Sequence, residues 1–320
     1  MQLLENQTCS TVYGDVLLQI GRADRRVVVL DADLARATQT GPFQKAFPER
    51  YFDVGIAEQN LLSVAAGLAL SGKIPFAATF ANFITKRACD QINIGSAYTR
   101  ANVRIVGVEP GLSSGRNGAT HQSVDDLAIM RAIPNMTVID PADATEIDQI
   151  IRLSLDWQGP IYIRMQRGEI PRIFDPQTYQ AQIGKGVVVA EGSDICFLST
   201  GTMTPTAVNV IEQLKQQGVM VGLAHFHTIK PIDKQLIREL ACKYRAFITC
   251  ENHSVLGGFG SAVAEVCAAE HPMPIEFVGI ADCFGETGST AYLNKKFGLD
   301  EEAMIKAAQR AMARIKGGTP

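Results

Sequence analysis

The stretch RYFDVGIAEQN, residues 50–60, places a carboxylate, Glu58, between a short apolar run typical of a strand and a run typical of a helix. Because the helix dipole favours an acidic side chain in the first turn, a solvated carboxylate at a helix start explains this position without any function. The apolar flanks favour a second interpretation, since a carboxylate removed from water can share a proton with a nitrogen atom of a ligand. On the residues alone, both interpretations of Glu58 stay open.

The segment TFANFITKRACDQ, residues 79–91, supplies an aromatic pair, Phe80 and Phe83, which share one helical face if a helix begins there. Phenylalanines at this spacing usually belong to a core. An aromatic ring can also form one wall of a slot for a flat heterocycle. A Glu and a Phe at one sheet edge would therefore make a heteroaromatic binding site.

The loop VEPGLSSGRNGATHQ, residues 108–122, is a polar, glycine-rich segment between a predicted strand and a predicted helix. Loops at the carboxyl ends of strands are where α/β sheets bind ligands. Asn117 and His121 suit a polyhydroxylated substrate, with His121 as a hydrogen-bond donor or an acid–base group. The alternative is that Thr120 or Ser123 caps the following helix and that His121 has no role.

Two arginines, Arg164 and Arg167 in IYIRMQRGE, end the last predicted strand of the first half of the chain. A fixed guanidinium group suits a phosphate or sulfonate on a substrate tail. Because arginines are more often structural or surface residues, we expect one of the two to be structural.

The glycine-rich run GGFGSAVAE, from Gly257, is a weak signal for a dinucleotide site. The segment HSVLG separates it from the preceding strand, and no acidic partner is identifiable downstream. We therefore do not expect NAD binding, and we assign His253 no catalytic role.

The elements that must position these residues follow a regular rhythm, because short β-rich runs alternate with amphipathic runs from residue 27 onward. This alternation predicts an α/β fold with two domains, each a largely parallel sheet covered by helices. The rhythm breaks over RGEIPRIFDPQTYQAQIGKG, which has little periodicity. The predicted boundaries are residues 1–172 for the first domain, 173–186 for a linker and 187–320 for the second domain.

A chain of 320 residues with 46% hydrophobic content is long enough for two domains with cores. The net charge of −3 gives no electrostatic reason to expect nucleic acid or a membrane surface as a partner. No apolar run approaches the roughly 18 residues of a membrane span, and MQLLENQTCS lacks a secretory pattern, so the expected location is the cytoplasm. The seven cysteines form no CxxC pair and are interpreted as reduced core residues.

Several motifs, taken in order, resemble the C-terminal half of transketolases, in particular the separate C-terminal subunit of split transketolases. These motifs are FDVGIAEQN, TFANF, GATHQSVDDLAIMRAIPNMTVIDPAD, MQRGEIP and ENHSVLGGFG, and they span nearly the whole chain. The resemblance implies a pyrimidine-binding domain, a transketolase C-terminal domain and an active site at a subunit interface. It also implies thiamine diphosphate as cofactor and the transfer of a two-carbon ketol unit from a ketose to an aldose.

The resemblance assigns cofactor contacts to residues of this sequence. Glu58 matches the catalytic glutamate that bonds the pyrimidine N1′ of the cofactor. Phe83, with Phe80 nearby, matches the aromatic wall that stacks on the pyrimidine, and Ile56 is also assigned to cofactor binding.

Substrate contacts follow from the resemblance in the same way. His121 matches the catalytic histidine that contacts a substrate hydroxyl group, and Arg167 matches the arginine that binds the terminal anion. Two substrate-binding positions depart from the family pattern, since Glu109 replaces a histidine and Asn117 replaces an aspartate. An amide lacks the charge of a carboxylate. We therefore expect a ketose of unusual stereochemistry, branching or tail, phosphorylated or otherwise anionic.

The resemblance also implies a missing part. The family holds the cofactor's diphosphate through a divalent metal on a Gly-Asp-Gly segment followed by an Asn, and this sequence contains no such segment. We therefore expect no metal site on this chain and no activity from the chain alone. An N-terminal transketolase subunit with the diphosphate-binding domain would hold Mg²⁺ or another divalent cation, in an α2β2 assembly that acts on small sugars.

Three alternatives share parts of the pattern. The β subunit of the 2-oxo acid dehydrogenase decarboxylating component shares the architecture and an IAEQ segment, and deoxyxylulose phosphate synthase shares VGIAEQ but is normally one long chain. A non-catalytic subunit could keep the same fold. The presence of both Glu58 and His121 counts against that last alternative.

Overall fold

Short apolar runs of the sequence pair into sheets in the computed structural model, which describes residues 3–317. One sheet has seven strands, another has five, and a two-stranded ribbon completes the β structure of the described residues. Helices pack on both larger sheets. The α/β class and the two largely parallel, helix-covered sheets predicted from the sequence are therefore confirmed.

The strands of the described residues are short, as expected for buried strands of α/β proteins. They are β1 (Asn6–Thr8), β2 (Val27–Asp31), β3 (Tyr51–Asp53), β4 (Ile74–Phe80), β5 (Arg104–Val108), β6 (Thr137–Ile139), β7 (Ile161–Met165), β8 (Glu169–Pro171), β9 (Val187–Ala190), β10 (Ile195–Ser199), β11 (Gly222–His225), β12 (Thr228–Lys230), β13 (Ala246–Ser254) and β14 (Ile275–Ile280).

The α-helices fall between the strands and after the last one. They are α1 (Cys9–Ala23), α2 (Ala35–Thr38), α3 (Gly41–Ala46), α4 (Glu58–Leu70), α5 (Ala81–Arg87), α6 (Asp126–Ala132), α7 (Ala144–Ser154), α8 (Met203–Gln216), α9 (Lys234–Lys243), α10 (Phe259–Glu270), α11 (Thr290–Lys296) and α12 (Glu301–Ile315). Short 3₁₀ turns at Pro48–Arg50 and Gly115–Asn117 and a π-helix at Gln91–Tyr98 complete the helical structure of the part described. The run ITKRACDQINIGSAY is thus divided between the end of α5 and the π-helix.

The first sheet has the strand order β12-β6-β7-β5-β4-β2-β3. Its strands run parallel except β12, which pairs antiparallel with β6 and comes from the second half of the sequence. Every residue of β2, β4, β5 and β7 is buried, because helices cover both faces of a parallel sheet. The carboxyl ends of β4 and β5 lie side by side, with Phe80 opposite Val108, so the segments that follow them share one edge.

The second sheet has the order β14-β13-β10-β11-β9, with β9 as an antiparallel edge strand. Its core joins the apolar faces of β10, β13, α8 and α12. None of the helices within residues 3–317 is long and apolar enough to cross a membrane. The cysteines there are free thiols, of which Cys9, Cys196, Cys250 and Cys267 are buried as expected, whereas Cys242 and Cys283 are exposed.

A buried cluster of charges centred on Arg164 joins the two sheets. The Arg164 guanidinium donates to Asp126 at 2.8 Å, to Asp140 at 3.3 Å and to the Asn252 carbonyl at 3.2 Å. Burial favours the neutral acid, but the Arg164 charge holds the pKa of Asp126 below its ordinary value. Arg164 is therefore the structural member of the predicted arginine pair.

We predict that Asp126→Asn destabilises the folded chain strongly, because it removes the carboxylate that best compensates a fully buried guanidinium group. Breaking such a pair typically costs about 3–5 kcal/mol. The measurement is the free energy of unfolding in urea. The matched control is Asp125→Asn, since Asp125 pairs with Lys86 across side chains that are 42% and 39% exposed, and we expect that change to cost less than about 1 kcal/mol. Equal losses for the two variants would contradict the assignment.

Candidate active site

Glu58 is the first residue of α4, and its side chain is only 5% exposed. The chain enters the helix through Gly55, whose φ of 71° suits glycine, and the Asp53 carboxylate accepts the Gly55 N–H at 2.9 Å. This sharp turn directs the carboxylate of Glu58 inward. The interpretation of Glu58 as a solvated first-turn carboxylate is therefore wrong.

Arg87 is the ion-pair partner of Glu58, and sequence analysis missed it. Its Nη1 donates to Glu58 Oε1 at 2.7 Å, and its guanidinium carbon lies 3.8 Å from the centre of the Phe83 ring. Arg87 follows Phe83 by one helical turn of α5, so a planar cation bonded to the Glu58 carboxylate covers the aromatic face. The i, i+4 spacing of Phe83 and Arg87 was the available signal, but it also suits an ordinary exposed helix face.

Two phenylalanines and a histidine form an aromatic cluster beside this pair. The ring centres of Phe80 and Phe83 are 5.6 Å apart, and the His121 ring lies 4.9 Å from Phe83 and 5.8 Å from Phe80. Phe80 ends β4 and α5 begins only at Ala81, so the expectation that both phenylalanines share one helical face is wrong. Phe80 is buried in the core, whereas Phe83 is half-buried at the edge of the cluster.

The loop of residues 108–122 is fastened to α5 next to His121. Asn82 Nδ2 donates to the Thr120 carbonyl at 2.6 Å, and Thr120 Oγ1 lies 2.9 Å from His121 Nδ1. The following helix, α6, begins at Asp126, and neither Thr120 nor Ser123 caps it, since Asp125 is the N-cap residue. The capping alternative for this loop is therefore wrong.

A second group of the predicted residues lines a cavity of about 390 Å³ between the same loop and residues 288–290, which lead into α11. Glu109, Asn117 and Arg167 all line it, and Arg167 Nη1 donates to Glu109 Oε1 at 2.9 Å. Arg116, which sequence analysis did not single out, is a further lining residue. The loop of residues 108–122 thus contributes to both groups. His121 belongs to the aromatic cluster, and Glu109 and Asn117 belong to this cavity.

Ile56, which the resemblance assigns to cofactor binding, is 75% exposed. Residues 3–317 contain no cluster of His, Cys, Asp and Glu side chains that could hold a metal ion.

The glycine-rich run leads into α10, whose first backbone N–H groups already have a partner within the chain. The Glu251 carboxylate accepts from the N–H of Phe259 at 2.6 Å and from the N–H of Gly260 at 2.8 Å. An internal carboxylate therefore occupies the position where a dinucleotide phosphate would bind.

Comparisons with known proteins identify the family of both halves of the chain. The transketolase pyrimidine-binding domain family matches residues 5–172, and the transketolase C-terminal domain family matches residues 184–304. A 6-deoxy-6-sulfo-D-fructose transketolase subunit from a Clostridium species is 42% identical over 97% of this chain and 96% of its own length. A subunit of an apulose-4-phosphate transketolase from Phocaeicola vulgatus is 32% identical over 94% of this chain and 96% of its own length.

A solved structure described as a split gene transketolase, an inactive beta4 tetramer, superposes with a TM-score of 0.89. Its identity to this chain is 42%, and the match covers 96% of this chain and 98% of that one. The chain therefore belongs to the transketolase family. It is the transketolase subunit that carries the pyrimidine-binding and C-terminal domains, and these domains imply the use of thiamine diphosphate. The similarity to split transketolase subunits implies a partner subunit.

We predict that Asn82→Ala loosens the loop that carries His121, because the substitution removes the only side-chain hydrogen bond that Asn82 makes to the loop within the described residues. Losing a hydrogen bond worth about 1 kcal/mol should speed amide hydrogen exchange in residues 118–122 several-fold. Exchange is measured by mass spectrometry on the chain itself. Asn60→Ala, at an exposed position of α4, is the control. Unchanged exchange in the Asn82 variant would contradict the prediction.

Proposed function

We propose that this chain binds the cofactor's pyrimidine in a two-subunit, cytoplasmic transketolase that transfers a two-carbon ketol unit from an anionic ketose to an aldose. The observation that carries the proposal is the buried Glu58 carboxylate beside the half-buried Phe83 ring, with His121 in contact with the same ring. A carboxylate next to an aromatic wall suits a flat heterocycle with a proton to share. The histidine beside that wall suits a hydroxylated substrate.

Arg87 provides a test of whether the residues fit an aminopyrimidine. Its guanidinium group is planar, donates to the Glu58 carboxylate and lies against the Phe83 ring. An aminopyrimidine presents the same combination of a flat face and nitrogen-bound protons. A planar group with nitrogen-bound protons thus already contacts both Glu58 and Phe83, which supports the assignment of these residues to the cofactor's ring.

Thiamine diphosphate, when bound, would supply a nucleophilic carbon for the ketose carbonyl group and would hold the electron pair of the broken C2–C3 bond until an aldose accepts the two-carbon unit. Glu58 would hold a proton at the ring nitrogen of the cofactor, and its burial protects that proton from exchange with water. Phe83 and Phe80 would fix the plane of the ring. His121 would donate to, or accept from, a hydroxyl group of the substrate.

The remaining parts of the site are proposed to come from a second subunit. The sequence lacks the Gly-Asp-Gly segment that the family uses for the metal, and we propose that the partner holds Mg²⁺ or another divalent cation in an α2β2 assembly. The relative of known structure is described as inactive in its beta4 form. That description supports a dependence on the partner in a closely similar chain.

We predict that Glu58→Gln lowers kcat of the assembled complex by at least about 100-fold, because an amide cannot hold the proton that a carboxylate shares. Calorimetric titration with thiamine diphosphate shows whether cofactor binding is lost as well. Glu239→Gln, at an exposed position of α9, is the matched control and should leave kcat unchanged. A Glu58→Gln complex that turns over as fast as the unmodified complex would refute the assigned role.

We predict that xylulose 5-phosphate is not the best donor, since Glu109 and Asn117 change the chemistry of the substrate-binding positions. The donors to compare with it are 6-deoxy-6-sulfo-D-fructose and apulose 4-phosphate, which appear in the names of two relatives. The measurement is kcat/KM of the complex for each donor with one common aldose acceptor. Fast turnover of xylulose 5-phosphate alone would contradict the prediction.

A further inference from the structure

Glu109, near the start of the loop of residues 108–122, forms an ion pair with Arg167. The two residues follow neighbouring parallel strands, because Val108 of β5 lies opposite Met165 of β7, and the Glu109 N–H donates to the Met165 carbonyl at 3.0 Å. The Glu109 side chain is 10% exposed and the Arg167 side chain is 47% exposed. The carboxylate is thus the better shielded partner, and water screens its charge less.

The backbone of Glu109 is in an uncommon conformation. Its φ is 55°, in the left-handed region that residues other than glycine rarely adopt. Such conformations persist where the surrounding structure enforces them, and they cluster at functional sites. Here the conformation turns the carboxylate toward Arg167 and into the wall of the cavity.

The ionisable side chains that line this cavity leave a single positive charge. They are one carboxylate, Glu109, and two guanidinium groups, Arg116 and Arg167. The other lining residues, which include Ser113 and Asn117, are neutral hydrogen-bonding or small residues. Because the Glu109 carboxylate is bonded to Arg167, it offsets the charge of that guanidinium group and leaves Arg116 as the one uncompensated charge among the lining residues.

We propose that Glu109 makes this site select a ketose whose terminal group carries one negative charge, a sulfonate or a carboxylate, over the corresponding phosphate ester. The inference rests on the proposed function, because it takes the 108–122 loop as the wall of the substrate site. A phosphate monoester carries about −1.5 to −2 charges at neutral pH, so it meets stronger repulsion from Glu109 than a monoanion does. Specificity of this kind comes from a repulsive element as much as from an attractive one.

The test uses the assembled complex and three ketohexoses that differ only at C6, with a sulfonate, a carboxylate or a phosphate group. In the unmodified complex, kcat/KM should be about tenfold higher for a monoanionic donor than for the phosphate. Comparing the two monoanionic donors distinguishes sulfonate from carboxylate. Glu109→Gln keeps the side-chain length and should lower KM for the phosphate donor, which narrows or reverses the ratio with little change in kcat.

Two further variants separate the proposed role from general effects of charge and folding. Glu169→Gln removes one exposed carboxylate close to Arg167 in sequence and should leave the donor ratio unchanged. Glu109→Asp retains the charge and should restore the preference for the monoanion, which a merely structural role for Glu109 would not produce. Unfolding in urea shows whether each variant is folded.

The outcomes distinguish a failure of the selectivity proposal from a failure of the proposed function. If the complex turns over ketoses but the phosphate donor is preferred, or Glu109→Gln leaves the ratio unchanged, the selectivity proposal is wrong and the proposed function stands. If an intact, cofactor-loaded complex turns over no ketose, the proposed function is wrong, and the selectivity proposal falls with it. A ratio that follows the charge at position 109 across both variants would support the proposal.

Discussion

The position of the loop of residues 108–122 depends on the buried guanidinium group of Arg164. Arg164 lies at the end of β7 and binds Asp126, the first residue of α6, while also donating to the Asn252 carbonyl of the second sheet. The loop of residues 108–122 therefore runs into a helix whose start is tied to both sheets by charge. Because an unpaired arginine at this depth would be costly, its contacts hold β7, the start of α6 and β13 in one fixed arrangement.

The second domain contacts the candidate site through hydrogen bonds to the loop of residues 108–122. The Leu112 N–H donates to Asn252 Oδ1 at 3.1 Å, and Gln122 Nε2 donates to the Glu286 carbonyl at 2.9 Å, so both ends of the loop bind the second half of the chain. The Gly288 N–H reaches the Gly115 carbonyl at 3.0 Å in the middle. The C-terminal domain thus holds in place the segment that carries His121 and Glu109, although the aromatic cluster of Phe80, Phe83 and His121 belongs to the first domain.

The sequence was sufficient for features that depend on local pattern. Alternating runs predicted the two α/β units, and the change from a strand-like to a helix-like run at Glu58 placed that residue at a helix start. Contacts between distant segments were not predictable in the same way. The pairing of Glu109 with Arg167 requires β5 and β7 to be neighbours, and β12 joins the first sheet by an antiparallel contact that no periodicity indicates. The pairing of Arg87 with Glu58 likewise requires α4 and α5 to pack together.

We propose that this chain contributes the pyrimidine-binding residues to an active site completed by another subunit. The most direct measurement is to purify the chain from its native extract under mild conditions and to identify associated proteins and cofactors by mass spectrometry. We expect a second chain with a Gly-Asp-Gly segment followed by an Asn, together with thiamine diphosphate. An intact native assembly that contains neither would contradict the claim and remove the basis for the catalytic roles of Glu58 and His121.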